Sequence, residues 1–401
     1  MTYTPQPDDV CPRPDRLPPQ PTDPLAPAIH LSAVYRCDSP QQADQLLSGE
    51  LSGYVYSRDG HPNGDQLAEK LRLLHGAEQA AIASTGMGAL GVAALAFLEE
   101  GDHVVVSNRL YGRSSLLLGR ELPRLGIGCT AVDTSHADET AEAFTSRTKW
   151  LVVETITNPL LRVSDLQLLA RLAHENGARL LVDNTFAGPI VCRPIEWGAD
   201  LVWESLTKII NGHSDVNLGL LCGPTDGWSR VPEVLKTWGL ASNPFDCWLA
   251  HRGLGTLALR SERASANALA VAGFLETRLG VDAVEYPGLP SHRDHRVARR
   301  LFGGRFGSMV TFTLPGGTAA AEKFISAAPR IPFSPSLGDL STTLSHPEST
   351  SHRGLSAADR AALGIEGGTI RLSVGIETPD AIFAALSEGL LALSAPPAEE
   401  L

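Results

Sequence analysis

From residue 80 onward, short apolar runs alternate with amphipathic stretches, and no other feature of this 401-residue chain constrains its fold as much. A run of four to seven apolar residues cannot bury itself. When such runs are separated by helix-length segments with one apolar face, the arrangement that buries them is a parallel sheet flanked by helices. The spacing predicts strands over 80–83, 103–107, 129–132, 150–154, 179–183, 200–204 and 217–222. A helix is predicted after Val163, with Ser164 as its cap, Gln167 at the reciprocal position and Gly177 at its end. Beyond Trp248 the pattern changes to a long helical stretch, then strands over 309–314 and 369–374 and a helix over 379–393, which reads as a smaller α+β domain. The chain therefore divides into an N-terminal arm (1–60), a large α/β domain (61–245) and a small C-terminal domain (246–401). Residues 1–29 carry nine prolines and predict an extended arm, and 395–400 predict a frayed tail.

Charge excludes some partners. A net charge of -12 with no basic stripe argues against nucleic acid and against an anionic membrane, since both need clustered cations to replace counterions. No window approaches the roughly 20 uninterrupted apolar residues needed to span a bilayer, and the N-terminus is proline-rich and acidic, so a cytoplasmic protein is expected. The six cysteines are scattered and form no C-x-x-C pair, which reads as reduced thiols, and the twelve histidines show no H-E-x-x-H, so no metal is expected.

The most informative segment is Ser205-Leu206-Thr207-Lys208-Ile209-Ile210-Asn211-Gly212-His213-Ser214-Asp215. Only five lysines occur in the chain, and Lys208 alone lies between apolar residues and hydroxyls. A desolvated amine of lowered pKa is what Schiff-base chemistry requires, although a solvated or capping lysine has the same spacing. Upstream, Asp183 ends an apolar strand, the place where open parallel sheets meet their ligands. Pyridoxal 5′-phosphate (PLP) needs such a carboxylate at its ring nitrogen, while a helix N-cap is the alternative. Glu154-Thr155-Ile156-Thr157-Asn158-Pro159 has the same shape, with Asn158 able to reach a phenolate oxygen. Ser84-Thr85-Gly86-Met87-Gly88-Ala89 opens an apolar helix whose free N–H groups suit a phosphate. Gly86, Gly88 and Gly91 also match G-x-G-x-x-G, which raises an NAD-dependent oxidoreductase as the alternative, but the next strand ends on Ser107 and Asn108 where an acid is required.

Taken together these segments resemble the γ-family of PLP enzymes of cysteine and methionine metabolism, which includes cystathionine γ-synthase, cystathionine γ- and β-lyases and methionine γ-lyase. Further markers are Tyr56-Ser57-Arg58, Tyr111-Gly112, Gly212-His213-Ser214-Asp215-Val216, Arg252-Gly253-Leu254-Gly255-Thr256-Leu257 and Ile370-Arg371-Leu372-Ser373-Val374-Gly375. The resemblance implies the aspartate-aminotransferase-like fold type I of PLP-dependent transferases and a trans-sulfuration-type lyase or γ-replacement transferase, cystathionine γ-lyase- or γ-synthase-like, with methionine γ-lyase as the alternative. It implies Lys208 as Schiff-base lysine and proton shuttle, Asp183 as pyridinium partner and Asn158 as the ring-oxygen contact. The phosphate would rest on the backbone of Gly86 and Met87 and the hydroxyls of Ser205 and Thr207. Tyr56 and Arg58 would reach it from a neighbouring subunit of a homotetramer with shared sites. Tyr111 would stack on the ring and serve as acid or base, and Arg371 with Ser336 would hold the substrate carboxylate.

Four departures leave the subfamily open. Pro335 precedes Ser336-Leu337-Gly338 where cystathionine-handling members have Glu, and His61-Pro62-Asn63 and Asn217 differ from the usual residues. Arg113 stands where methionine γ-lyases carry a cysteine. In an extended loop its side chain would share a side with Tyr111 and meet a distal anion of the substrate; the alternative is an outward surface ion pair.

Overall fold

The computed structural model describes residue 22 and residues 25–394, so most of the expected extended arm and the expected frayed tail lie outside the described residues. The first sheet has seven strands: β1 (Gln79–Ala83), β2 (His103–Ser107), β3 (Gly128–Val132), β4 (Thr148–Glu154), β5 (Arg179–Asp183), β6 (Leu201–Ser205) and β7 (Gly219–Gly223), ordered β1-β7-β6-β5-β4-β2-β3. Strands β2 to β6 pair in parallel, as strands buried on both faces do, and Leu180, Leu181, Val202 and Leu201 are fully enclosed.

Strand β7 departs from the parallel expectation: it runs antiparallel to both β6 and β1. The cause is its connection. A parallel return needs a crossover, usually a helix, over the sheet face. Residues 206–218 instead fold into a tight turn in which Leu206 N–H donates to Leu218 O, so the chain comes straight back beside β6. That turn carries Lys208. Asn217 and Leu218 remain in it, two residues longer than the apolar run suggests.

The second sheet, β8 (Val284–Glu285), β9 (Met309–Thr313), β10 (Thr343–Ser345) and β11 (Thr369–Ser373), is antiparallel in the order β10-β11-β9-β8. Helices Pro244–Leu254 and Leu257–Leu279 lead from the first sheet to the second, and one apolar core runs through both, from Val153 and Val182 to Val310 and Leu372. One capping expectation is corrected. Helix Leu166–Glu175 is capped by Asp165, whose carboxylate accepts from Leu168 N–H at 3.3 Å, because the Ser164 hydroxyl is used elsewhere, donating to Glu154 O at 2.7 Å. Among the described residues no helix is long and apolar enough to cross a membrane.

Candidate active site

The site grows from the ends of adjacent parallel strands. Register pairs Glu154 with Asp183 and Asp183 with Trp203, so the last residues of β4 and β5 and the start of the Lys208 turn stand side by side at one edge of the sheet. Opposite them begins helix Gly86–Phe97. Its cap, Thr85, accepts Gly88 N–H on its hydroxyl at 2.7 Å, which leaves the amides of Gly86 and Met87 with no acceptor inside the helix. Glycine is required here by closeness: a Cβ on Gly86 would lie 2.8 Å from Ser205 Cβ, and one on Gly219 would lie 2.1 Å from Thr85 O. Gly91 meets nothing within 4 Å, so it does not provide the close helix–strand packing that the third glycine of a dinucleotide fingerprint serves.

A cavity of about 250 Å³ opens between these elements and the second sheet, and it brings together Gly86, Met87, Tyr111, Asn158, Asp183, Ser205, Thr207, Lys208, Ser336 and Arg371. Tyr56, Arg58 and Arg113 are not on its wall. Tyr56 is 40% exposed, with the Arg58 guanidinium 5.0 Å above its ring. Arg113 overturns the extended-loop premise. Tyr111 begins helix Gly112–Leu116, with Ser115 N–H donating to Tyr111 O at 2.9 Å, so a residue two further on turns to another side, and Arg113 is exposed.

Electrostatics sharpen the picture. Lys208 Nζ donates to Ser336 Oγ at 2.8 Å, and burial, then the nearby Arg371 cation, push its pKa down. Arg371, 4% exposed, donates from Nη1 to Asn158 Oδ1 at 2.5 Å and from Nη2 to Ser336 O at 3.1 Å, while its buried Nε has no partner. Burial lowers it to about 10, which still leaves it charged at neutral pH. A buried cation whose partners are neutral lacks a counterion, the setting of a carboxylate receptor. Asp183, at the cavity floor, accepts Thr185 N–H at 2.9 Å, yet burial outweighs that bond and raises it to about 6.

Sequence reasoning passed over Glu154. It closes β4 as Asp183 closes β5, lies on the cavity wall, and its carboxylate accepts the backbone N–H of Tyr111 and, at 3.3 Å, that of Asn158. Burial and the neighbouring Asp183 push its pKa well up. The signal was present, since an apolar strand ending on an acid beside Asp183 has the same form. Thr350 and Ser351, from a loop of the small domain, and Phe186, whose ring lies 5.6 Å from the Arg371 guanidinium carbon, carry no such signal.

These residues fit PLP: two free helix amides and two hydroxyls for a monophosphate, an enclosed carboxylate for a ring nitrogen, and a desolvated lysine for an aldehyde carbon. Comparison with known proteins agrees. The family model described as Cys/Met metabolism PLP-dependent enzyme matches residues 13–391. The chain is 39% identical over 369 residues to the L-methionine gamma-lyase of Porphyromonas gingivalis, covering 91% of this chain and 92% of that one. It is 38% identical over 366 residues to the O-succinylhomoserine sulfhydrylase of Pseudomonas aeruginosa, covering 91% of each. The crystal structure of cystathionine gamma synthase from Xanthomonas oryzae pv. oryzae in complex with cystathionine superimposes with a TM-score of 0.87 at 36% identity, over 92% of this chain and 94% of that one. Its two sheets, its strand-edge cavity and its sequence together make this chain a member of the Cys/Met-metabolism family of PLP-dependent enzymes, with that family's fold type I architecture.

Proposed function

We propose that the chain eliminates or replaces the γ-substituent of a sulfur-containing or O-activated amino acid, with the cofactor held on Lys208. One observation carries this reading: Ser336 bonds Lys208 Nζ through its hydroxyl and Arg371 through its carbonyl. An amino acid whose carboxylate is held by Arg371 therefore presents its Cα to the Lys208 amine on the cavity wall. PLP, when bound, supplies the electron sink that makes a Cα proton labile. Lys208, of lowered pKa, removes that proton and then one from Cβ, while Tyr111, placed by Glu154, meets the departing group. When PLP is bound, Asp183 would pair with its ring nitrogen. Asn158, whose Oδ1 accepts from Arg371, would have its Nδ2 left to donate to the ring oxygen.

The wall around Tyr111 favours a neutral γ-substituent. Met87, Ser114, Pro335, Thr350 and Ser351 share the cavity with Tyr111 and are uncharged, while the cavity's cations, Lys208 and Arg371, are taken up by the cofactor and the α-carboxylate, and Arg113 lies outside. Within the trans-sulfuration class this supports the methionine γ-lyase-type reading ahead of the cystathionine one, since among the described residues no cation beyond Lys208 and Arg371 stands on the cavity wall to meet a second carboxylate. Tyr56 and Arg58, stacked on each other away from their own cavity, are read as lent to a second copy. Product analysis with methionine, cystathionine, cysteine and O-acetyl- or O-succinylhomoserine, with and without added thiol, tests the substrate. Methanethiol, ammonia and 2-oxobutanoate from methionine at the highest kcat/KM is the expected result, and faster turnover of a dianionic substrate would reverse the ranking. Mixing Arg58→Ala with Lys208→Ala subunits should restore activity, and no recovery on proven subunit exchange would exclude the shared site.

A further inference from the structure

We infer that Arg260 is a positioning residue that clamps the turn carrying Lys208, so that the amine keeps its place once its side chain is released to move protons. This rests on Lys208 as the mobile amine. Arg260 stands in the first turn of helix Leu257–Leu279, off the cavity wall, and is 8% exposed. Four of its hydrogen bonds go to neutral oxygens. Nη1 donates to Ile209 O at 2.9 Å, Nη2 to Ile210 O at 2.9 Å and to Gly253 O at 3.0 Å, and Nε to Thr256 Oγ1 at 3.1 Å. No carboxylate is among these partners.

The chemistry of the turn explains the arrangement. Asn211 N–H donates to Leu206 O and Gly212 N–H to Lys208 O, so residues 206–212 form a hydrogen-bonded turn in which the carbonyls at 209 and 210 receive no backbone N–H. These are the negative end of a short row of peptide dipoles, where a cation is favoured. A guanidinium spans two successive carbonyls with its fork, whereas a lysine ammonium would reach them one at a time. Two glycines are needed for this approach. Gly212 sits at φ +74, and a Cβ there would lie 2.1 Å from Arg260 Nη1. On another side Gly338 closes the turn, its absent Cβ lying 2.5 Å from Ile209 N and 2.8 Å from Lys208 C. Gly253 and Thr256 come from the segment 252–257, none of which is on the cavity wall, and supply two of the four acceptors.

The expected consequence is kinetic. While Lys208 is tethered to the cofactor, the tether itself helps fix the turn. Once the lysine is free, the clamp alone does so, and loss of the clamp lowers the frequency with which Nζ is correctly placed. The holoenzyme of Arg260→Lys should lose about ten- to a hundredfold in kcat with KM changed by less than about threefold, the pattern of an interaction that matters after binding. Its cofactor absorbance should be retained. Thr256→Val, which removes one acceptor and leaves the cation, should lower kcat by about two- to fivefold and guards against a misfolded Arg260 variant. Amide exchange over 206–212 should quicken at least about tenfold in Arg260→Lys while that of β4 and β5 is unchanged. Unchanged exchange in that turn overturns the clamp. Faster exchange with full kcat overturns its link to Lys208. A lost kcat with a borohydride-reducible cofactor still on Lys208 keeps the reading of the lysine separate from that of the arginine.

Discussion

The two walls of the cavity are built on different principles. The first, formed by the ends of β4, β5 and β6 and by the helix at Gly86, is a set of backbone positions fixed by parallel register. Its groups are free amides, short hydroxyls and carboxylates whose pKa values are raised by burial. The second comes from the antiparallel sheet and its loops, where Arg371 on β11 and Ser336 depend on side-chain reach and on each other. The difference teaches a division of labour. A cofactor that never leaves suits a rigid rim, whereas a substrate that enters and departs suits side chains that can readjust.

The largest effect should come from Lys208, the residue that joins the two walls. Lys208→Ala should lower turnover by about a thousandfold or more and leave no cofactor that borohydride can fix to the protein. A reducible adduct in that variant would remove the hinge from the comparison.

A lesion confined to the first wall follows. Asp183→Asn should cost about ten- to a hundredfold in kcat and loosen the cofactor, with KM for the amino acid little changed. The same substitution tests the electrostatics of the cofactor-free protein. A carboxyl raised from 3.8 to about 6 binds its proton more tightly folded than unfolded, so stability falls as pH rises through that window. Urea denaturation at several pH values should show that slope reduced in Asp183→Asn, and an identical slope in both proteins would mean another group carries it.

On the second wall, Arg371→Lys should raise KM by about ten- to a hundredfold and leave the cofactor spectrum in place, because a point charge replaces a bidentate fork. If cofactor is lost instead, the two walls are not separable. The smallest effect sharpens the boundary: Arg113→Ala should change kcat/KM by less than about twofold on methionine and on cystathionine alike, since its side chain is exposed outside the cavity. A selective loss on cystathionine would bring Arg113 into the site and restore the dianionic substrate.

Glu154 shows where pattern reading stops. The motif around it was visible, but a strand-ending acid next to a strand-ending acid suggests repulsion, and only the positions of Tyr111 N–H and Asn158 N–H reveal why a carboxylate is kept there. Arg113 shows the converse: its distance from Tyr111 in sequence was known, but its direction depended on whether the backbone was extended or helical.

What the sequence determined by itself was local and periodic. Apolar runs of strand length, the acids and hydroxyls that close them, and the glycine-opened helix put Gly86, Met87, Asn158, Asp183, Ser205, Thr207 and Lys208 on one cavity, because in parallel strands the polar ends fall on one edge whatever the details of packing; Tyr111, Ser336 and Arg371 were expected there from the family resemblance alone. What the tertiary structure decided was everything that required two distant segments to meet. The pairing of β7 with β1 and the grip of Arg260 on carbonyls 209 and 210 arise from loop closure and side-chain reach across some fifty or more residues, and neither leaves a period in the chain.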